Sequence, residues 1–309
     1  MHPFRFGLQA SKAPSAAAWR ELARKTEALG FSTLFLPDHF EEQLGPLVGL
    51  AVAAEATTTL RVGSLVFGND YRHPLVLAKE IATLDVMSEG RVEFGLGAGW
   101  MRSDYEQAGM IYDEPSVRVD RLEESIRVMK ALWAGERVDF AGTHYTLQGA
   151  LGWPSPYRTP HPTLLVGGGS PRVLSIAARE ADIVGINPSL AAGAIGPEVI
   201  ASAAAARVDE RIAWVKDAAG GRFSSIELQS LTFFVNIVDN GAEARSNLAA
   251  SFGQDPQQVV ETPSALIGSV DEIVEKLISC RERWGLSYWV VHEAEMDAFA
   301  EVIGKLEGT

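Results

Sequence analysis

The sequence predicts a single (β/α)8 TIM barrel over residues 1–309, and three observations carry that prediction. Short β-branched and apolar runs alternate with longer amphipathic runs along the whole chain, giving eight strand–helix repeats. The central strand runs, at 60–66 and 91–96, are apolar on both faces and lead into glycine, as strands of a parallel sheet covered by helices do. No change of composition divides the chain at its middle, and a barrel of this kind occupies roughly 250 residues or more.

The first strand is expected over 4–9, ending at Gln9. Ser15 is placed to cap a helix with Trp19, Leu22, Ala23 and Leu29 on its apolar face, and Gly30 ends it. The second strand, 31–36, exits through Pro37, Asp38, His39 and Phe40. A barrel carries its ligand at the carboxyl ends of its strands, so this polar pair is a candidate site. His39 is the candidate proton-transfer group, because imidazole exchanges a proton near neutrality, and Asp38 the candidate to orient it or to contact a cofactor ring. Gln9 is a further candidate contact for ring or substrate.

A second helix covers 46–58, and between the third and fourth strands Pro74 opens a helix that Glu89 and Gly90 turn back. After Trp100 a long loop runs to 115, followed by a helix over 117–133 with Leu122, Ile126, Met129 and Leu132 inward and Glu123 and Glu124 solvated. Residues 137–162 read as an irregular insertion after this fourth helix: a hairpin turning at Ala141, Gly142 and Thr143, then prolines at 154, 156, 160 and 162. Such a segment is expected to serve as a lid or an interface. The fifth strand is 163–166 and the sixth 181–187. An alanine-rich helical stretch with Trp214 follows, then a seventh strand at 226–237 and helices at 242–252 and 271–284. The eighth strand is 287–291, and a closing helix ends near Leu306.

Composition narrows the function classes. With 47% apolar and 22% charged residues the chain has the makings of an ordinary globular core. A formal charge of −13 argues against nucleic acid and anionic membranes as partners, since both would repel it. Cys280 is the only cysteine, which forbids an intramolecular disulfide and fits a reducing cytoplasm, and no apolar run reaches the length of a membrane span. His39, His73, His144, His161 and His292 lack metal-type spacing, so no metal is expected.

Two glycine-rich strand ends carry the remaining chemistry. Gly167, Gly168, Gly169 and Ser170 lie between a strand and a helix, where backbone N–H groups hold phosphate, and Arg172 is placed to add charge. Gly95, Gly97 and Gly99 fail the dinucleotide fingerprint, because Trp100 stands where its third glycine belongs. They read instead as an opening for a planar ligand, with Trp100 as an apolar wall.

Six motifs together resemble a known family: Glu27, Leu29, Gly30 and Phe31 leading to Pro37, Asp38, His39 and Phe40; Asn69, Asp70, Tyr71, Arg72, His73 and Pro74; the run 84–91; the run 95–100; Gly167, Gly168 and Gly169; and the run 177–182. Nearly the whole chain resembles the bacterial luciferase-like flavin and deazaflavin barrels, and is most similar to the actinobacterial oxidoreductases that use the deazaflavin coenzyme F-420. The resemblance implies a ring at the carboxyl ends of the strands with its phosphate at Gly167, Gly168 and Gly169. It also implies a bulge with a non-proline cis peptide within Ser64, Leu65 and Val66, supporting the ring. In the sugar-phosphate dehydrogenases of this family a histidine matching His39 serves near the hydride-transfer centre and a glutamate follows the fourth strand. Trp100 occupies that glutamate position, so the acid role and the sugar-phosphate substrate are not carried over; Asp104 and Glu106 are the acids in the loop beyond it. The expected activity is hydride transfer between the deazaflavin C5 and a small, largely apolar organic substrate. The alternatives are an FMN-dependent monooxygenase and a cofactor-binding barrel without catalysis. A homodimer is expected, with apolar surface on the second and third helices as its candidate interface.

Overall fold

The computed structural model describes residues 2–190, 193, 197–253, 255–306 and 309. In chain order the strands are β1 (Arg5–Gln9), β2 (Thr33–Leu36), β3 (Arg61–Gly68), β4 (Val92–Gly97), β5 (Arg137–Ala141), β6 (Thr146–Leu151), β7 (Thr163–Gly168), β8 (Ile183–Ile186), β9 (Glu227–Leu231), β10 (Phe234–Ile237), β11 (Ala265–Gly268) and β12 (Leu286–His292). The helices are α1 (Ala16–Ala28), α2 (Pro46–Ala56), α3 (Pro74–Met87), α4 (Arg102–Ala108), α5 (Pro115–Trp133), α6 (Pro171–Glu180), α7 (Pro197–Ser202), α8 (Ala205–Ala219), α9 (Gly241–Ser251), α10 (Pro256–Glu261), α11 (Val270–Trp284) and α12 (Met296–Leu306). Strands β1, β2, β3, β4, β7, β8, β9 and β12 pair in that order and β12 returns to β1, closing the parallel (β/α)8 barrel that the alternation predicts.

Local signals start the helices. Ser15 caps α1 by accepting the Ala18 N–H at 3.1 Å, and proline at the first turn opens α2, α3, α5 and α6. The outward side chains of the strands, among them Leu34, Leu36, Val62, Phe94, Leu96 and Trp289, join the helices in one core layer. A smaller cluster of Phe35, Leu65, Leu165, Ile183, Tyr288 and Val290 fills the barrel interior. Below it Arg5 lies over the Tyr288 ring and pairs with both Glu93 and Glu227, while the Tyr288 hydroxyl donates to Glu93 at 2.9 Å. These partners compensate the charges that the barrel floor takes out of water.

Several expectations change in three dimensions. The seventh strand does not run to Ile237. It leaves the barrel after Leu231, and β10 pairs with β11 in a separate two-stranded sheet, because Phe234 packs on a side cluster of Ala249, Val259, Ala265 and Ile267. The long loop after Trp100 contains α4, which Gly109 ends in the left-handed conformation at φ 65°. In α1 the buried residues are Trp19, Ala23 and Thr26, with Leu29 at the C-cap. Glu124 is buried rather than solvated: it accepts the N–H groups of Thr143, His144 and Tyr145 at 2.7, 2.9 and 3.2 Å. The insertion is thereby anchored at its hairpin turn, and Asp85 anchors its proline-rich half by accepting the Arg158 N–H at 2.8 Å. In the alanine-rich stretch, residues 191, 192 and 194–196 lie outside the described residues. Among the described residues no helix is long and apolar enough to cross a membrane.

Candidate active site at the barrel mouth

His39 follows β2 at the carboxyl end of the barrel, as the strand-exit argument predicts. Its Nδ1 lies 2.7 Å from Asp104 Oδ2, on the first turn of α4. Asp104 is fully buried and also accepts the Tyr71 hydroxyl at 2.9 Å and the Phe40 N–H at 3.2 Å. Burial, reinforced by Asp104, pushes the Tyr71 phenol up, so the phenol stays protonated and donates. Carboxylate oxygens accept, hence the hydrogen of His39 sits on Nδ1 and Nε2 is the free ring nitrogen. Trp100 is half-buried with its ring 5.5 Å from that of His39, edge to face, and its carbonyl accepts the Tyr112 hydroxyl at 2.8 Å. It walls the histidine.

Asp38 does not orient His39. Its carboxylate accepts both terminal nitrogens of Arg72, at 2.6 and 3.0 Å, and the Gly68 N–H at 2.9 Å. The buried Asp38 therefore ties the exit of β2 to the exit of β3, and the orienting carboxylate is Asp104. Glu106, the other acid of this segment, is exposed. The only sequence signal for Asp104 is its place two residues into a helix beyond a strand end, which does not single it out from its neighbours.

Strand β3 bulges where the resemblance implies: Leu65–Val66 is a cis peptide, the register with β4 breaks between Ser64 and Phe67, and Leu65 and Val66 both join the interior cluster. Gln9 donates its amide to Leu65 O at 3.0 Å, so it holds the bulge rather than standing free for a ligand. Ser64 is buried with its hydroxyl unpartnered. The glycines of β4 serve this bulge. A Cβ on Gly95 would overlap Ser64 O, one on Gly97 would lie 2.6 Å from Val66 Cγ2, and one on Gly99, at φ 77°, would overlap the Tyr105 hydroxyl. The room expected for a planar ligand at these three positions is taken by the chain itself.

At the other glycine-rich end, Gly167 and Gly168 complete β7 and Ser170 is the N-cap residue of α6 without a side-chain capping bond. Val173 packs where a side chain on Gly168 would project, and the Pro188 and Ser189 backbone where one on Gly169 would. Arg172 faces α5 instead, paired with Asp120 and 3.9 Å from Glu123. The arginine that reaches this loop is Arg211 of α8, buried, donating to Gly169 O at 3.3 Å and Ser202 O at 2.6 Å. Sequence reasoning missed it because it comes from a helix more than forty positions downstream.

A planar heteroaromatic ring needs an apolar face and polar atoms at its edge. Leu65, Val66 and Leu231 supply apolar surface. Gly185 gives the amide of Gln229 room, since a Cβ there would lie 2.9 Å from its Oε1, and both polar atoms of Gln229 and the Asn187 Oδ1 are buried without partners. The residues present fit a flavin or deazaflavin ring. Among the described residues no three His, Cys, Asp or Glu side chains converge as a metal would need.

A family model described as luciferase-like monooxygenase matches residues 1–269. Curated relatives include an F-420-dependent glucose-6-phosphate dehydrogenase of Microbacterium testaceum, 31% identical over 192 residues that cover 58% of this chain and 55% of that protein. A protein of the same name from Amycolatopsis mediterranei is 32% identical over 170 residues, 52% of this chain and 50% of that one. The chain spans about half the length of the curated relatives it matches. Among solved structures, an F-420-dependent secondary alcohol dehydrogenase in complex with an F-420–acetone adduct superposes with a TM-score of 0.78 at 19% identity, over 99% of this chain and 100% of that one. A monooxygenase from Streptomyces bottropensis gives 0.75 at 23% identity, over 98% of each chain. At these identities the superpositions establish the fold.

Proposed function

The chain belongs to the luciferase-like monooxygenase family, and from that premise we propose that it is an oxidoreductase that moves a hydride between coenzyme F-420 and a small organic substrate. The observation that carries the reading is the His39–Asp104 pair: a histidine at a strand exit, with Nδ1 committed to a buried carboxylate and Nε2 free to exchange a proton. A bound deazaflavin supplies hydride acceptance or donation at C5. Leu65 and Val66 would support the ring, Asn187 and Gln229 would meet its polar edge, and the Gly169 loop with Arg211 beneath would receive its phosphate. Trp100 shields the histidine from water, and His39 Nε2 takes the proton released when an alcohol becomes a carbonyl, or returns it in the reverse direction. The names of the relatives from Microbacterium testaceum and Amycolatopsis mediterranei favour F-420 over FMN.

The deciding experiment is an anaerobic fluorescence titration of the purified protein with oxidised F-420 and, in parallel, with FMN. Tight binding of F-420 with weak binding of FMN is expected. The second reading, an FMN-dependent monooxygenase, is favoured by the description of the matching family model as luciferase-like monooxygenase, and preference for FMN with oxygen-dependent turnover would establish it instead. The proposal includes a homodimer. Val48 of α2 and Val76 and Met87 of α3 are exposed beside Leu47, Ala51, Val52 and Leu84, a continuous apolar groove of the kind that pairs with a second copy. A monomeric mass by light scattering at micromolar concentration would refute it.

A further inference from the structure

A second histidine borders the mouth. Strand β1 lies between β2 and β12, with Gln9 opposite His292 on one side, and β2 on the other leads to His39. Tyr288 and Val290 of β12 point into the barrel, so the two-residue alternation of a strand turns His292 inward at the rim. Its Nε2 lies 3.1 Å from Thr232 O, just beyond β9. A carbonyl oxygen accepts and never donates, so Nε2 carries the hydrogen, and the lone pair of the neutral ring is on Nδ1. That Nδ1 has no hydrogen-bond partner among the described residues and is not sealed off by protein atoms. His39 is arranged the other way round, with Nδ1 bonded to Asp104 and Nε2 free. Gln9, between them, directs its amide donor to Leu65 O. The mouth therefore presents two imidazole acceptors, one on either side of Gln9, whose amide commits one N–H to Leu65 O.

Resting on the oxidoreductase reading, we propose that His292 is a specificity-determining residue whose Nδ1 accepts a hydrogen bond from a second hydroxyl or N–H group of the substrate. The reacting hydroxyl meets His39 Nε2, and the second donor meets His292 Nδ1. A substrate with one hydroxyl leaves one acceptor unsatisfied once water is excluded, which disfavours it about tenfold or more. The substrate class is accordingly a small polyol, or a hydroxylated compound with a second donor, rather than a simple alcohol.

The test uses the F-420-loaded protein and a three-carbon series: isopropanol, propylene glycol and glycerol. The wild type is expected to show a KM at least tenfold lower for a polyol than for isopropanol. His292→Phe removes both the contact and the unpaired acceptor, so it raises the polyol KM at least tenfold, lowers the KM for isopropanol rather than raising it, and leaves the Kd for F-420 within twofold, and His292→Gln, which keeps an acceptor oxygen, restores part of the preference. An equal effect on polyol and isopropanol overturns the proposal. Nitrogen NMR of histidine-labelled wild-type protein gives a readout that needs no variant and no cofactor. His292 must show the Nε2-protonated tautomer, and saturating glycerol must shift Nδ1. The opposite tautomer, or an unmoved Nδ1, also overturns it. Failure of F-420 to bind would defeat the functional reading, and the NMR result would still decide the role of His292.

Discussion

Asp104 Oδ2 stands 2.7 Å from His39 Nδ1 across 65 positions of sequence, and that contact sets which ring nitrogen is left free. His39→Ala is expected to lower turnover by a factor of roughly 10²–10⁴ with the Kd for F-420 nearly unchanged. Asp104→Asn keeps the shape but presents an amide donor, which favours the wrong tautomer and lowers turnover by about 10² or more. Steady-state kinetics beside a cofactor titration separates the two effects. Full activity in His39→Ala would remove this histidine from the mechanism.

Asp38 is adjacent to His39 in sequence but acts on the fold. Asp38→Ala leaves Arg72 without its bidentate partner and Gly68 N–H without an acceptor, at a cost of about 2–3 kcal/mol. Urea unfolding would show this as a lowered midpoint. Asp38→Asn, which keeps one acceptor oxygen, should lose less.

Acid sensitivity has an identifiable contributor in Glu27. Burial works to raise its pKa, but the N–H groups of Thr59, Leu60 and Thr58, at 2.6, 2.9 and 2.9 Å, outweigh it and bring the pKa from 4.5 down to about 2. A carboxylate whose folded-state pKa is depressed stabilises fully above its unfolded value, and the contribution is lost as pH falls. Glu27→Gln is therefore expected to be less stable than the wild type at neutral pH by about 1 kcal/mol. The difference should shrink between about pH 4.5 and pH 2. Denaturant midpoints across that range check it; a difference that is constant with pH would exclude the carboxylate as its source.

The hairpin turn of the insertion hangs on one side chain. Glu124→Ala removes the acceptor for the Thr143, His144 and Tyr145 N–H groups and is expected to cost about 2 kcal/mol. Hydrogen exchange at those three amides should accelerate while exchange in the barrel strands stays slow. Uniform acceleration would mean that the hairpin is not a separate unit of stability.

The sequence by itself determined the alternation of strands and helices, the starts of the helices and the placing of His39 at a strand exit. These are local properties: side-chain period, a serine cap at Ser15, prolines at first turns, and His39 just past a strand. The tertiary structure alone decided which groups meet. It gave His39 to Asp104 and Asp38 to Arg72, turned Arg172 toward Asp120 while bringing Arg211 under Gly169, and let Ser64 and Val66 take the space beside Gly95 and Gly97. It also split the run 226–237, whose β propensity is continuous, into a barrel strand and an outside strand. Propensity and spacing act between neighbours in the chain. The partner of a carboxylate or guanidinium depends instead on direction and distance between elements many positions apart, which are set only when the barrel closes.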